Sequence, residues 1–491
     1  MSYDRRSLLR LTGAAAAGAA TGCLGGNGND EGEQEGDGDP ASPEETMDED
    51  GGANNGDRGD PDLAAAAGLS LLRSRLYDTV ALGRAGATDA GAEEASRVFA
   101  YFEEAGGEYG VHEFVEETDH DAYEGFEDAL GALRTALEDG DVEAAADEAR
   151  AADGHLSTAQ SAAVDDGAAD AFDVLTLASR LFDAAHADAA GGAAGDVGTA
   201  VFSDFETAEV HDAVEDADGD AYESFEDAMG DVAEGDAGRA VDAFGAAADA
   251  AYALSEDAAD VGYVAALAAR GYDARLVAEN GGDGTAVASD ALADWEEARA
   301  HEALEEANHE TYEGFEDSFE DYVGSVGDEE ALEPFDEAAT RARFALAGAA
   351  EEAPADESAH DDGEHGDEDE LAGGPNVHEG EPDADHVVDM TAVAFEPESV
   401  TVSVGDTVAW VHAGGEPHSV TAYDDGVPDE AEYWASGGFS SESAARDGWE
   451  NGEGAVQEGE YYERTFETTG THEYLCIPHE AAGMVGEVVV E

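Results

Sequence analysis

Four side chains near the C-terminus have the types and spacing of a soft-metal site. Cys476 is followed by His479 three residues later and by Met484 after five more, so a thiolate, an imidazole and a thioether share one loop. A second imidazole from a neighbouring strand end would complete a His₂Cys set with a weak axial Met, the donor set that suits type 1 copper. His418 offers that imidazole, and His412 is the competing candidate.

The segment around these residues has the pattern of a β-sheet. Valines at 400, 402 and 404 alternate with polar residues, and after a turn at Gly405-Asp406 a second extended run covers 407–411. Such period-2 alternation is typical of a half-buried strand. Further strands are predicted at 462–466, 471–475 and 485–490, with one short helix within 440–449. We therefore predict an all-β antiparallel sandwich over 386–491.

In these residues the segment resembles the cupredoxin family, and most closely the halocyanins, the plastocyanin-like blue copper proteins of halophilic archaea. The matching stretches are Phe395-Glu396-Pro397, 404–408, 417–420, and 470–476 continuing through Met484-Val485-Gly486. The resemblance implies a Greek-key sandwich that binds one type 1 copper through His418, Cys476, His479 and Met484. His412, where such proteins commonly have Asn or another polar residue, and the long acidic segment 424–460 depart from the pattern and leave partner preference open.

The chain before this segment contains three copies of one helical unit. A His-containing segment precedes a Tyr-Glu-x-Phe-Glu-Asp motif three times, with the tyrosines at 123, 222 and 312, and an earlier Arg-x-(Tyr or Phe)-Asp motif begins at 75, 180 and 270. Apolar residues at 123, 126, 130, 133 and 137 form one helical stripe, and Asp121 with Glu124 has capping-box spacing at its start. The copies span 62–163, 166–258 and 259–352. Each is predicted to be an all-α bundle of about four helices.

Paired side chains in the three copies raise the question of a second metal site. Each copy places a His and a Glu four residues apart on one helix face: His112 with Glu116, His211 with Glu215, and His301 with Glu305. Such pairs could bind a metal, but a helix-surface contact is the simpler interpretation. The recurring arginines Arg75, Arg180 and Arg270 are expected to bind carboxylates within their own bundle.

The N-terminus has the features of an export signal. Arg5-Arg6 precedes a short Ala-rich stretch that ends at Cys23, which is similar to a twin-arginine signal over 1–22 with a lipoprotein cleavage box. We expect lipidation at Cys23 and anchoring at the outer face of the cytoplasmic membrane. An acidic, Gly-rich tether over 23–61 and an acidic linker over 353–385 are predicted to separate the anchor and the folded parts.

The composition limits the classes of function. Asp and Glu number 122 against 19 Lys and Arg, a net charge of −103, and every cation is Arg. This charge excludes nucleic-acid binding and resembles that of proteins from salt-loving archaea.

Two functions remain after the motif search. The first is an electron carrier with transient redox partners, which would use a small exposed apolar patch formed by His479 and residues 481–483. The alternative is a protein for copper binding or metal storage with an accessory cupredoxin domain. Enzyme classes are disfavoured, because the ligand loop has no second Cys and no nucleophile elbow, phosphate loop or HExxH motif occurs.

Overall fold

The computed structural model describes residues 60–104, 111–208, 210–327, 331–349, 371–380, 382, 384–424, 426–428, 430–449, 451–457, 459–480 and 483–491. The predicted signal, the lipidation site Cys23 and almost all of the tether lie outside these residues. None of the described helices is both long enough and apolar enough to span a bilayer.

The helical region comprises three successive groups of helices. The first contains α1 (Pro61–Arg84), α2 (Thr88–Glu104), α3 (Val111–Thr118), α4 (His120–Glu138) and α5 (Val142–Ala163). The second contains α6 (Asp166–Ser179), α7 (Asp183–Ala190), α8 (Ala194–Thr207), α9 (Val210–Ala217), α10 (Gly219–Ala233) and α11 (Ala240–Leu254), with a 3₁₀ turn at Ala237–Arg239. The third contains α12 (Glu256–Glu279), α13 (Gly284–Glu296), α14 (Arg299–Ala307), α15 (His309–Ser325) and α16 (Leu332–Leu346).

The predicted count of about four helices per copy was too low. The His-containing segments form separate short helices, α3, α9 and α14, which gives five described helices in the first and third copies. The second copy has six, because its opening helix is interrupted between Ser179 and Asp183.

The Tyr-Glu-x-Phe helix forms as the apolar spacing predicts. In α4 the stripe residues at 126, 130, 133 and 137 are buried, and Tyr123 is half-buried at its edge. The expected cap at Asp121 was wrong, since Asp119 accepts a hydrogen bond from the Ala122 amide and starts the helix earlier. Asp218 and Asn308 cap the equivalent helices α10 and α15 in the same way. An Asx residue just outside the first turn satisfies amides that have no partner within the helix.

The three copies share a core. The helices that carry the Arg-x-(Tyr or Phe)-Asp motifs, α1, α6 with α7, and α12, pack on one another, and α1 and α12 are buried along most of their length. One continuous apolar cluster contains residues from all three copies, including Leu71, Phe172 and Phe335. The copies therefore form one array rather than separate beads.

The C-terminal domain is a sandwich of two sheets. Its strands are β1 (Val377–Glu379), β2 (His386–Thr391), β3 (Ala394–Glu396), β4 (Ser399–Val402), β5 (Thr407–His412), β6 (Thr421–Ala422), β7 (Glu460–Thr465), β8 (Gly470–Leu475) and β9 (Val485–Val490). The strand orders are β1-β7-β5-β2-β3 and β4-β9-β8-β6. Helix α17 (Glu442–Trp449) supplies the predicted short helix.

Two features of this sandwich differ from the prediction. The sheets are mixed, because β2 pairs in parallel with β5 and β4 in parallel with β9. The predicted linker also contributes a strand, since β1 pairs with β7 through Val377 opposite Tyr462. Trp410, Trp434 and Tyr474 fill the space between the sheets, and their rings lie 5.3–5.7 Å apart.

Candidate metal centre

The loop between β8 and β9 brings three of the predicted ligands together. Cys476 directly follows β8 and Met484 directly precedes β9, because the two strands pair antiparallel up to Leu475 opposite Val485. The Cys476 amide donates to the Met484 carbonyl at 3.0 Å, and the Met484 amide donates to the His479 carbonyl at 3.0 Å. These two bonds close the loop and fix the backbone at all three positions.

His418 reaches this loop from a distant part of the chain. It precedes β6 and forms an isolated antiparallel bridge with Val456, with N–O distances of 3.1 and 2.7 Å. The next residue supports the site as well, since the Ser419 amide donates to Cys476 Sγ at 3.3 Å and the Ser419 hydroxyl accepts from the Ile477 amide at 2.7 Å. The two halves of the site are therefore bonded to each other through Ser419.

The donor atoms are spaced as ligands of one ion. Cys476 Sγ lies 3.3 Å from His479 Nδ1 and 3.7 Å from His418 Nδ1, and the two nitrogens are 3.1 Å apart. Atoms bound to one metal at the usual nitrogen and sulfur distances lie about 3–4 Å from each other. Met484 is completely buried in the same apolar cluster as Cys476. The four residues fit a copper ion, with soft sulfur and imidazole donors in a dry environment.

Hydrogen bonds on the far side of each imidazole orient the ring. His418 Nε2 lies 3.0 Å from the Gly414 carbonyl, and His479 Nε2 lies 3.3 Å from Glu103 Oε2. Since both partners are acceptors, each Nε2 donates to its partner, and Nδ1 of each ring is the atom that would present a lone pair to a bound ion. This outer-shell arrangement fixes the tautomer that a metal requires.

The electrostatics favour the thiolate form of Cys476. In the metal-free site, burial disfavours the charged sulfur, but the charge of protonated His479 and hydrogen bonds from Nδ1 of both imidazoles outweigh burial and lower the thiol pKa to about 6. A thiolate is the form that binds a soft metal.

His479 is not the exposed residue that the sequence suggested. Only 2% of its surface is accessible, because the first helical copy covers it and places the buried carboxylate of Glu103, in α2, against Nε2. Arg134 of α4 donates to the Glu480 carbonyl at 3.5 Å and lies beside Gly483. The other two residues of the expected patch, 481 and 482, lie outside the described residues.

A polar network continues from Glu103 into the helical copy. His112 Nε2 lies 3.9 Å from Glu103 Oε1 and 3.2 Å from the Tyr123 hydroxyl, which donates to Glu127 at 3.1 Å. Burial and the nearby charge of Glu103 raise the pKa of Glu127 to about 8. Glu103 and Glu127 therefore belong to the surroundings of the metal centre. No motif or spacing distinguishes Glu103 from the many other acidic residues of the chain.

The same network recurs in the other two copies. His211 bonds the Tyr222 hydroxyl at 2.9 Å, and His301 bonds Tyr312 at 3.0 Å and Glu316 at 3.2 Å. Each His thus pairs with the Tyr eleven residues later, which ties the short helix to the next one.

Unlike the His–Tyr network, the predicted pairs of a His and a Glu four residues apart do not form a group that recurs in all three copies. Glu116, Glu215 and Glu305 are all exposed. Among the described residues, only the pair of the second copy belongs to a potential metal-binding group. This group contains His211, Asp212 and Glu215. The second metal site at these pairs stays a prediction.

His412 lies next to the centre without joining the three-residue donor group. It ends β5, its ring centroid is 5.1 Å from that of His418, and its Nε2 is 3.3 Å from the Glu416 carbonyl. The potential metal-binding group here contains His418, Cys476 and His479.

Two family models match the chain. Residues 383–491 match the copper binding proteins of the plastocyanin/azurin family, and residues 64–291 and 283–354 match a domain of unknown function, DUF5059. The second match covers more than half of the chain. The sequence alone had suggested no family for the helical copies.

Individual relatives agree with the first match. The plastocyanin of Scenedesmus fuscus is 37% identical over 103 residues, which are 21% of this chain and 92% of that protein. The chloroplastic plastocyanin of Tetradesmus obliquus is 36% identical over 103 residues, 21% of this chain, and the chain spans only 62% of its length. A copper(I) structure of an amicyanin variant is 31% identical, with coverage of 22% of this chain and 85% of that one and a TM-score of 0.17.

These matches define a multidomain protein with a helical region and a cupredoxin domain that is capable of copper electron transfer. The chain belongs to the DUF5059 family, and its C-terminal domain belongs to the plastocyanin/azurin family of copper-binding proteins. The predicted cupredoxin resemblance is thereby confirmed.

Proposed function

We propose that the protein is a membrane-anchored electron carrier of the halocyanin type and not an enzyme. It holds one type 1 copper per chain through His418, Cys476, His479 and Met484 and passes single electrons between transient redox partners. The observation that carries this proposal is the buried thiolate of Cys476 facing two imidazoles whose Nδ1 atoms are fixed toward it. Copper bound there would supply a one-electron couple between Cu(I) and Cu(II).

The surrounding residues would keep the site in one geometry during this exchange. The Ser419 amide donates to the sulfur, the Gly414 carbonyl holds His418, and Glu103 holds His479. A ligand set that is fixed by such outer hydrogen bonds changes little between oxidation states, so little reorganisation opposes electron transfer.

The cover over His479 sets the route by which partners approach. Glu103 of α2 covers the His479 imidazole, and Arg134 of α4 contacts the next residue of the loop. We therefore infer that electrons enter and leave across the first helical copy, close to His112 and Tyr123. The helical region then serves as the partner-facing surface of the carrier. Small, transient interfaces suit such redox encounters.

The location of the protein follows from its N-terminal sequence. Arg5-Arg6 and the segment ending at Cys23 support export and lipidation at the outer face of the cytoplasmic membrane. A Cys23→Ala variant is expected to leave the membrane fraction and appear in the soluble exported fraction. Unchanged membrane association of that variant would refute the anchor without affecting the copper site.

Metal stoichiometry and colour test the carrier function. The full chain with Cu(II) is expected to bind one copper per chain and to show an intense visible charge-transfer band from the Cys476 thiolate. Absence of the band would refute the blue-copper centre. Several copper ions per chain that resist removal would instead favour metal storage.

A further inference from the structure

The three Arg-x-(Tyr or Phe)-Asp motifs meet at the centre of the helical region, where α1, the α6–α7 junction and α12 pack together. Each arginine lies over the aromatic residue of a different copy, with Arg75 over Tyr272 at 3.8 Å, Arg180 over Tyr77 at 3.4 Å and Arg270 over Phe182 at 4.3 Å. The arginine of the first copy thus stacks on the aromatic ring of the third, that of the third on the ring of the second, and that of the second on the ring of the first. The motifs therefore close a ring with approximate threefold symmetry.

Each of these arginines forms an ion pair outside the group of motif aspartates. Each one pairs with a carboxylate of its own copy, Arg75 with Glu94 at 3.1 Å, Arg180 with Asp204 at 2.5 Å and Arg270 with Asp294 at 2.7 Å. This confirms the role expected from the sequence. Among the described ion pairs, none joins an arginine to the aspartate of any of the three motifs.

Those aspartates converge on one buried histidine. His186 Nδ1 lies 3.2 Å from Asp273 Oδ1 and 3.9 Å from Asp78 Oδ1, and one ligand atom from each residue falls within 4.8 Å of the others. Asp183 lies beside Asp78 and Asp273, whose charges both act on it. All four residues are at least 97% buried.

The hydrogen bonds within this group leave polar atoms without partners. Asp183 Oδ1 and His186 Nε2 are completely buried and have no hydrogen-bond partner in the described structure. Burial first, and then the neighbouring carboxylates, raise the pKa of Asp78 and of Asp183 well above the usual range. Burial also lowers the pKa of His186, which favours the neutral imidazole. A buried group of this kind is costly unless protons or a cation neutralise it.

The histidine breaks the symmetry of the ring. Three residues after the motif aspartate, the first copy has Ala81 and the third has Leu276, whereas the second has His186. An apolar residue would fill this position, as it does in the other two copies. The single histidine therefore adds a nitrogen donor to a set of carboxylates at the place where the three motifs meet.

We propose that Asp78, His186 and Asp273, with Asp183 beside them, bind one divalent transition-metal ion of the zinc, iron or manganese class. Ligand atoms about 2.1 Å from one ion lie about 3.0–3.4 Å apart, so the 3.2 and 3.9 Å separations between His186 Nδ1 and the two aspartates require only sub-ångström adjustment. Oxygen donors with one imidazole and no sulfur select such ions over Cu(I). The ion would join the three helical copies, and this site is independent of the copper centre.

Zinc is the probe for the test. The full chain carrying Cys476→Ser, which removes the thiolate of the copper site, is refolded with Zn(II) in concentrated salt, desalted and analysed for metal. We expect one tightly bound zinc per chain and a higher unfolding midpoint with zinc than without it. His186→Ala, which copies the first repeat, and the isosteric Asp273→Asn should each weaken zinc binding about tenfold or more.

His309→Ala is the matched control, because His309 lies in the helical region on an exposed helix face and belongs to none of the potential metal-binding groups among the described residues. Circular dichroism checks that each variant folds. The proposal is overturned if the parent chain retains no zinc and its unfolding midpoint does not move, since this result does not depend on any variant. It is also overturned if His186→Ala and Asp273→Asn bind zinc as the control does.

Discussion

The contact between Glu103 and His479 makes the sharpest prediction, because it joins the two domains at the metal centre. Both side chains are about 2% exposed and the carboxylate oxygen is 3.3 Å from Nε2. Glu103→Gln keeps the shape and an acceptor oxygen but removes the negative charge. Replacing a charged acceptor by a neutral one costs about 1–1.5 kcal/mol for a typical hydrogen bond.

This loss should appear in the reduction potential. The carboxylate favours the oxidised state, which carries one more positive charge, so the Gln variant should favour the reduced state and raise the potential. If the whole loss falls on the oxidised state, the rise is about 45–65 mV, since a one-electron couple changes by about 59 mV for each factor of ten. The potential of the copper-loaded full chain can be measured by spectroscopic redox titration.

Glu116→Gln is the matched control, since Glu116 belongs to the same helical copy but is exposed. Solvent and salt screen an exposed charge, so this variant should change the potential much less. The thermal unfolding midpoint should also change more in the Glu103→Gln variant than in the Glu116→Gln variant. If the two variants have the same potential and the same unfolding midpoint, the first helical copy does not cover His479 in solution, and the inferred route for electrons is wrong.

Three further predictions concern single side chains. Cys476→Ser should abolish the visible copper band, whereas Met484→Leu should keep the band and change mainly the potential; loss of colour in both would contradict an axial role for Met484. Because the folded-state pKa of Glu127 is raised to about 8 from an ordinary value near 4.5, its contribution to stability is complete below pH 4.5 and is lost as pH rises through 8. Glu127→Gln should therefore flatten the decline in the unfolding free energy of the copper-free protein across that range, and an unchanged slope would show that another group titrates there. Phe126→Ala should destabilise the helical region by about 3–5 kcal/mol, measured by chemical denaturation, because a completely buried ring is lost; the exposed Glu124→Ala change should cost far less.

Local spacing explains why the sequence alone could predict that Cys476, His479 and Met484 lie close together. Cys476, His479 and Met484 lie within one loop, so their order along the chain is almost their arrangement in space. The helical stripe of α4 was predictable for a similar reason, because a period near 3.6 places its residues on one face whatever surrounds the helix. The start of that helix was not, since Asp119 and Asp121 are both plausible caps and only the backbone conformation distinguishes them.

Pairings between distant segments could not be predicted in this way. The strand at Val377–Glu379 is too short and too polar to be distinguished from the acidic linker, and only its hydrogen bonds to β7 define it. The parallel pairing of β2 with β5 depends on how the chain crosses between the sheets, which alternation along one strand does not specify.

The sequence by itself determined the donor types of the candidate metal centre, the threefold repetition and the acidity of the chain, because each resides in residue types and short spacings. The tertiary structure alone decided that Glu103 covers His479 and that Asp78, Asp183 and Asp273 meet at His186. These contacts join residues up to several hundred positions apart. Their energy comes from burial and close approach of charged groups, which exist only after the helices and sheets have packed.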